Sequence, residues 1–203
     1  MHFNLPNILT FSRIAAIPVL LVLFMIPGDA GRWLACAVFT VAAVTDYFDG
    51  YVARTWNQLS ELGRCLDPIA DKLLVASVLL LLAFFNSPGL FFLLPALVIL
   101  CREVLVSGLR EYLAGVKVRL PVSRLAKWKT AIQMVAIGFL IVADSGPSWL
   151  PVIEIGLTGI WIAAILTLVT GYDYLAASLK YMDKPKAKAS RAPAAAKTAT
   201  PLG

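Results

Sequence analysis

Six apolar stretches, at roughly 11–27, 32–56, 64–86, 90–114, 123–143 and 149–181, alternate along the chain with short polar segments. The separators read "PGDAG", "NQLSELG", "NSPG", "VKVRLPVS" and "DSGPS", rich in residues that interrupt helices. A helix needs about 20 apolar residues to cross a bilayer, and stretches of that length recur here. The strict two-residue alternation of a barrel strand does not occur. The pattern predicts an all-α integral membrane protein with about six transmembrane helices. The opening "MHFNLPNIL" predicts an interfacial segment, with Asn7 or Thr10 capping the helix that follows.

Composition agrees with the pattern. Of 203 residues, 60% are apolar and 15% charged, against about half and a quarter in soluble domains. Arg13 precedes the apolar run "IAAIPVLLVLFMI" without an A-x-A-like cleavage site after it, so the first span is expected to stay as an anchor. Cys36, Cys65 and Cys101 form no CxxC pair and read as packing residues, and His2 has no metal-ligand spacing around it. Basic residues gather in alternate loops. Arg54, Arg64 and Lys72 flank the second and third spans, and Arg110, Lys117, Arg119, Arg124, Lys127 and Lys129 flank the fourth and fifth. The positive-inside rule places these loops, and both termini, in the cytoplasm. Beyond residue 182 the chain turns to Lys, Ala, Pro, Ser and Thr. The domain reading is therefore a membrane-embedded catalytic domain over 1–182 and a disordered basic tail over 183–203.

One segment breaks the apolar logic. "TDYFDGYVARTWNQLSELGRCLDPIAD", residues 45–71, places four aspartates and two arginines between two hydrophobic runs. A carboxylate at bilayer depth costs about 2.5–3.5 kcal/mol on insertion scales, so such groups face a protein interior or an aqueous cavity. Asp46, Asp49, Gly50 and Ala53 fall on one stripe of a helix, and Gly63, Asp67 and Asp71 repeat every four residues on the next. Two adjacent helices joined by a short loop let the stripes converge. Four converging carboxylates repel unless a cation neutralises them. All-oxygen ligands suit magnesium, manganese or calcium rather than zinc, and four carboxylates can hold two ions in a geometry suited to phosphoryl chemistry. Gly50, Ala53 and Gly63 leave the facing walls bare for a bulky ligand, although small residues also serve plain helix contacts in membranes. Arg54 lies beside the stripe, placed either to hold a phosphate or to anchor at headgroups.

The segment fits D-x2-D-G-x2-A-R-x8-G-x3-D-x3-D at every fixed position: Asp46, Asp49, Gly50, Ala53, Arg54, Gly63, Asp67 and Asp71. It resembles the signature of the CDP-alcohol phosphotransferase family. "NLPNILTFSRIAAIP", "LDPIADKLLV", "CREVLVSGLREYLA" and "KWKTAIQMVAIGFL" are similar to segments of the bacterial members that use glycerol 3-phosphate, and the likeness spans roughly residues 3–180. The resemblance implies transfer of a phosphatidyl group from CDP-diacylglycerol to glycerol 3-phosphate, with release of CMP. It also implies Mg2+ or Mn2+ as cofactor, two ions per site, in a homodimer of the bacterial inner membrane. By motif position, Asp46, Asp49 and Asp67 would bind one ion and Asp46, Asp67 and Asp71 the second. Asp71 is the candidate general base, Gly50, Ala53 and Gly63 give room for the cytidine, and Arg54 binds the diphosphate.

An acceptor that carries its own phosphate requires a basic pocket. Arg102 and Arg110, two turns apart on one face, and Lys127 and Lys129 at the entry of the fifth span are the candidates. Glu103, Ser107 and Glu111 are placed to orient the arginines. A family sibling that uses phosphatidylglycerol as acceptor, a cardiolipin synthase, is the alternative within the family. A divalent-cation transporter is the alternative outside it, and the Gly-Ala-Arg pattern fits that reading poorly.

Overall fold

The structure, a computed structural model, describes residues 5–56, 61–86, 89–116 and 124–182, with the side chains of 5–9, 46–56, 61–65, 124, 181 and 182 outside the description. Among the described residues the chain forms six α-helices: α1 (Leu5–Met25), α2 (Asp29–Trp56), α3 (Glu61–Phe85), α4 (Gly89–Gly115), α5 (Arg124–Val142) and α6 (Val152–Met182). A single 3-10 turn, Ala143–Ser145, follows α5. No strand occurs among the described residues. The six apolar stretches therefore became the six helices, each bounded by the breakers that separate them.

The N-terminal expectation needs correction. Asn7 and Thr10 do not cap a helix that begins after them; both lie inside α1, which starts at Leu5. Thr10 is buried, and its hydroxyl reaches across to Asp67 of another helix. Residues 1–4, His2 among them, and the tail 183–203 lie outside the described residues.

Helix α1 is the main neighbour of both α2 and α3, α5 packs on α6 and α2, and α4 packs on α6 and α3. One apolar core runs through all six helices, with Leu20, Phe39, Leu79, Phe92, Ile137 and Ile160 almost completely buried in it. The α5–α6 contact depends on small residues: a Cβ on Gly159 would stand 2.7 Å from the Cβ of Ala136. Such bare backbone lets two helices approach closely where lipid offers no hydrophobic drive for them to do so.

Among the described residues four helices are long and apolar enough to cross a membrane, α3 to α6, and α1 adds a shorter apolar stretch over Thr10–Met25. Only 28–39% of each spanning window is buried within the protein. The remainder is apolar, with Leu80, Phe84, Leu90, Val104 and Trp128 facing outward. A soluble protein would hide such faces, whereas lipid covers them at no cost.

The connections sort to two ends. At one, Arg32 sits 4.8 Å over the Phe24 ring, and Phe24 lies 5.6 Å from Phe85. The Trp33 indole donates to the Ser145 carbonyl at 3.1 Å, and the Asn86 amide donates to the Leu140 carbonyl at 2.8 Å. The opposite end holds the α2–α3 and α4–α5 connections, and there the charged residues gather.

Candidate functional site

Each inward-facing stripe changes character along its length. On α1 it reads Thr10, Arg13, Ala16, Leu20 and Phe24; on α5, Lys129, Gln133, Ala136, Ile137 and Leu140. On α6 the buried Ile160, Ala163 and Ala164 give way to Thr167, Thr170 and Ser178. The spacing of three or four keeps each set on one face, and the polar part always lies toward the end with the α2–α3 and α4–α5 connections.

The first polar group centres on Asp67. The Thr10 hydroxyl donates to Asp67 Oδ1, and Arg13 Nη2 approaches the same oxygen at 3.4 Å. The Arg13 side chain is 1% exposed and that of Asp67 31%. A guanidinium is brought into a membrane interior only with a partner, and the carboxylate of α3 is one. Asp71 lies one turn further on α3, half-buried, on the same face. Lys72, beside it, points elsewhere and donates to the Pro68 carbonyl at 2.9 Å.

A second group joins α4, α5 and α6. Lys129 is buried, and its ammonium donates to Glu103 Oε1. The same oxygen accepts from Arg102 Nη1 at 3.4 Å, and Arg102 Nη2 donates to the Thr170 hydroxyl at 3.0 Å. That hydroxyl donates its own proton to the Leu166 carbonyl at 2.8 Å, so its lone pairs are left for the guanidinium. Among the described residues, Glu103, Arg102 and, most weakly, Asp71 lie within electrostatic reach of Lys129. Arg110 acts on Arg102 in the same way, and its guanidinium stands 6.0 Å from the Tyr174 ring centre.

Of the expected acceptor residues, the structure brings Arg102 and Lys129 together through Glu103, with Arg110 nearby. Lys127 is exposed, because a residue two positions from Lys129 lies on a different face of α5. Ser107 is half-buried and Glu111 exposed. Asp46, Asp49, Gly50, Ala53 and Arg54 lie in α2 and Gly63 in α3, with their side chains outside the described residues. Cys36 packs against the Gly138 carbonyl, Cys101 is exposed and both are free thiols, while the Cys65 side chain lies outside the description.

Among the described residues no three metal-ligating side chains form a cluster. The described half of the acidic set nevertheless suits a hard divalent cation: Asp67 and Asp71 present oxygen donors from one face of α3. Thr10 and Arg13 on Asp67 give that carboxylate the kind of orienting partners that metal-binding carboxylates have.

The model of the CDP-alcohol phosphatidyltransferase family matches residues 3–169. The chain belongs to this family. A Rickettsia bellii (strain RML369-C) protein named CDP-diacylglycerol–glycerol-3-phosphate 3-phosphatidyltransferase is 48% identical over 178 residues, covering 88% of this chain and 97% of that one. Proteins of the same name from Cereibacter sphaeroides and Escherichia coli (strain K12) are each 39% identical. The first alignment covers 92% of this chain and all of the relative, the second 88% and 96%. As a member of the CDP-alcohol phosphatidyltransferase family with this set of apolar helices, the chain is a multi-pass membrane protein.

Reading the sequence missed four contributors to the site: Thr10, Arg13, Thr170 and Gly171. Arg13 precedes an apolar run, and its spacing from Ala16, Leu20 and Phe24 puts it on the same helix face as those residues. Thr170 and Gly171 sit in an otherwise apolar span, where nothing in the sequence names the arginine they meet.

Proposed function

We propose that this protein transfers the phosphatidyl group of CDP-diacylglycerol to the 1-hydroxyl of sn-glycerol 3-phosphate, giving phosphatidylglycerol phosphate and CMP. The observation that carries the reading is the juxtaposition at one end of the bundle. The carboxylates Asp67 and Asp71 of α3 lie toward the same end of the bundle as a buried lysine that shares Glu103 with Arg102. Carboxylates for a metal-held diphosphate stand beside cations for a second phosphate, which is the requirement of a donor and an acceptor that are both phosphorylated. The relatives named for this reaction, aligned over 88% of the chain or more, support the same assignment.

In this mechanism Asp46, Asp49, Asp67 and Asp71 would hold Mg2+ or Mn2+, two ions per site. Bound there, divalent cations would clamp the diphosphate and offset charge on the departing CMP. Gly50, Ala53 and Gly63 leave space for the cytidine, and Arg54 binds the diphosphate. Thr10 and Arg13 fix the Asp67 carboxylate from the side of α1. Arg102, Arg110, Lys127 and Lys129 draw in the acceptor phosphate, with Arg102 and Lys129 at its centre. Asp71 takes the proton of the attacking hydroxyl as the new oxygen–phosphorus bond forms and the bond to CMP breaks. The acyl chains stay in lipid against the apolar outer faces.

In this reading the site and both termini face the cytoplasm at the inner membrane, which the basic residues of the connecting segments support. The enzyme is a homodimer in this reading, as the family resemblance implies. Residues 1–182 carry the catalytic domain in this reading, and the basic segment 183–203 lies outside it.

The test is CMP release by the purified protein in mixed micelles of CDP-diacylglycerol with magnesium. Release that requires glycerol 3-phosphate and stops with EDTA is expected. Release only with phosphatidylglycerol would transfer the protein to the cardiolipin-forming branch. No release with any alcohol, together with cation flux in proteoliposomes, would replace the enzyme by a transporter.

A further inference from the structure

Helix α6 carries none of the residues assigned above to chemistry, yet it grips one of them. Arg102 crosses from α4 onto α6 at a notch made by Gly171. A Cβ at position 171 would stand 2.9 Å from Arg102 Cγ and 3.2 Å from its Nε, closer than side-chain carbons normally come. The clash would fall near the root of the arginine stem, so relief requires a different rotamer of the whole side chain. Beside the notch, Thr170 accepts from Nη2 at 3.0 Å while Glu103 faces Nη1 at 3.4 Å. The two ends of the guanidinium fork are thus assigned to partners on different helices, and the plane of the group is fixed by both.

We propose that Thr170 and Gly171 are positioning residues that set the orientation of Arg102 toward the phosphate of the acceptor, and so help to select an anionic acceptor. The proposal rests on the assignment of Arg102 to that phosphate. An arginine binds phosphate through paired parallel N–H donors, so affinity depends on the direction of its plane and not on charge alone. Thr170 supplies an acceptor because its hydroxyl proton is already committed to the Leu166 carbonyl. Gly171 supplies the space. Neither residue needs to touch the substrate to do this.

Full-length protein in micelles, assayed for CMP release with each substrate varied in turn, tests the proposal. Thr170→Val keeps the shape and removes the acceptor; Thr170→Ser keeps the acceptor; Gly171→Ala fills the notch. Valine and alanine variants are expected to raise KM for glycerol 3-phosphate about 5- to 20-fold, with KM for CDP-diacylglycerol within about twofold and the serine variant near wild type. Alanine is the better helix former, so an effect of Gly171→Ala on helix stability alone would be neutral or favourable. Arg102→Ala is the reference. If it raises the acceptor KM while Thr170→Val and Gly171→Ala do not, the positioning role is overturned and Arg102 keeps its assignment. Equal changes in both KM values without rescue by serine also overturn it. An unchanged acceptor KM in Arg102→Ala would remove the assignment of Arg102 itself, and this proposal with it.

Discussion

Replacing Glu103 by glutamine offers a direct measure of how the basic pocket is held. Glu103 Oε1 faces two cations at once, Lys129 in direct contact and Arg102 at 3.4 Å. At 3.4 Å and an effective dielectric constant near 20, the attraction to Arg102 alone is about 5 kcal/mol before desolvation is counted. Desolvation offsets much of this. Removing one partner of a fully buried pair costs about 3–5 kcal/mol. The Glu103 side chain is 24% exposed and Asp71 remains to face Lys129, which lowers the net loss to about 2–4 kcal/mol. For a chain of this size, that corresponds to a Tm lower by about 5–15 °C. The decisive part is the response to ligand. Without Glu103 the pocket holds two under-compensated cations, and an acceptor phosphate supplies the missing charge. Glycerol 3-phosphate should therefore raise the Tm of Glu103→Gln more than that of the wild type, read by thermal unfolding in detergent with and without the acceptor. A variant that melts within a degree of wild type, or that gains no extra shift from glycerol 3-phosphate, would refute the reasoning.

Two further predictions separate packing from chemistry. Gly159→Leu forces a side chain where even a Cβ would stand 2.7 Å from the Cβ of Ala136, and overpacking of this kind costs about 1–3 kcal/mol; the expected result is a lower Tm with both KM values unchanged in the fraction that stays folded. Thr10→Val removes a donor from Asp67 while keeping the shape. Loss of such an orienting bond weakens metal affinity about tenfold or more, so the magnesium concentration for half-maximal rate should rise by that order with acceptor KM unchanged, and an unchanged magnesium titration would dismiss the role of Thr10.

The helices were legible in the sequence because the apolar runs match the thickness of a bilayer and the breakers are strong. The acidic signature was legible for a related reason: an aspartate costs too much in an apolar span to be there without purpose. Thr10, Arg13, Thr170 and Gly171 were harder to read, each for its own reason. A buried threonine in a membrane helix costs little, because its hydroxyl returns to its own backbone, as Thr170 does toward Leu166. Its second role, accepting from Arg102, depends on which helix lies opposite. Gly171 resembles any small residue at a helix contact until the stem of Arg102 is seen to cross it. Arg13 was within reach, since its spacing from Ala16, Leu20 and Phe24 puts it on the same helix face as those apolar residues, although a charge just before an apolar run also suits the start of a membrane anchor.

The polar end of the bundle also answers a problem that the apolar end leaves open. Apolar helix faces in lipid attract one another weakly and with little direction, so they do not by themselves fix how far one helix slides along another. At the charged end three groups of polar contacts tie different helices together. Asp67 of α3 is held by Thr10 and Arg13 of α1, Lys129 of α5 by Glu103 of α4, and Arg102 of α4 by Thr170 of α6. A slip of one residue would break all of these together and leave several charges without partners in a medium of low dielectric. The same bonds therefore set helix register and site geometry. This has a consequence that can be observed: Glu103→Gln lowers stability and strengthens the response to the acceptor together, whereas Gly159→Leu, placed among apolar contacts, lowers stability alone.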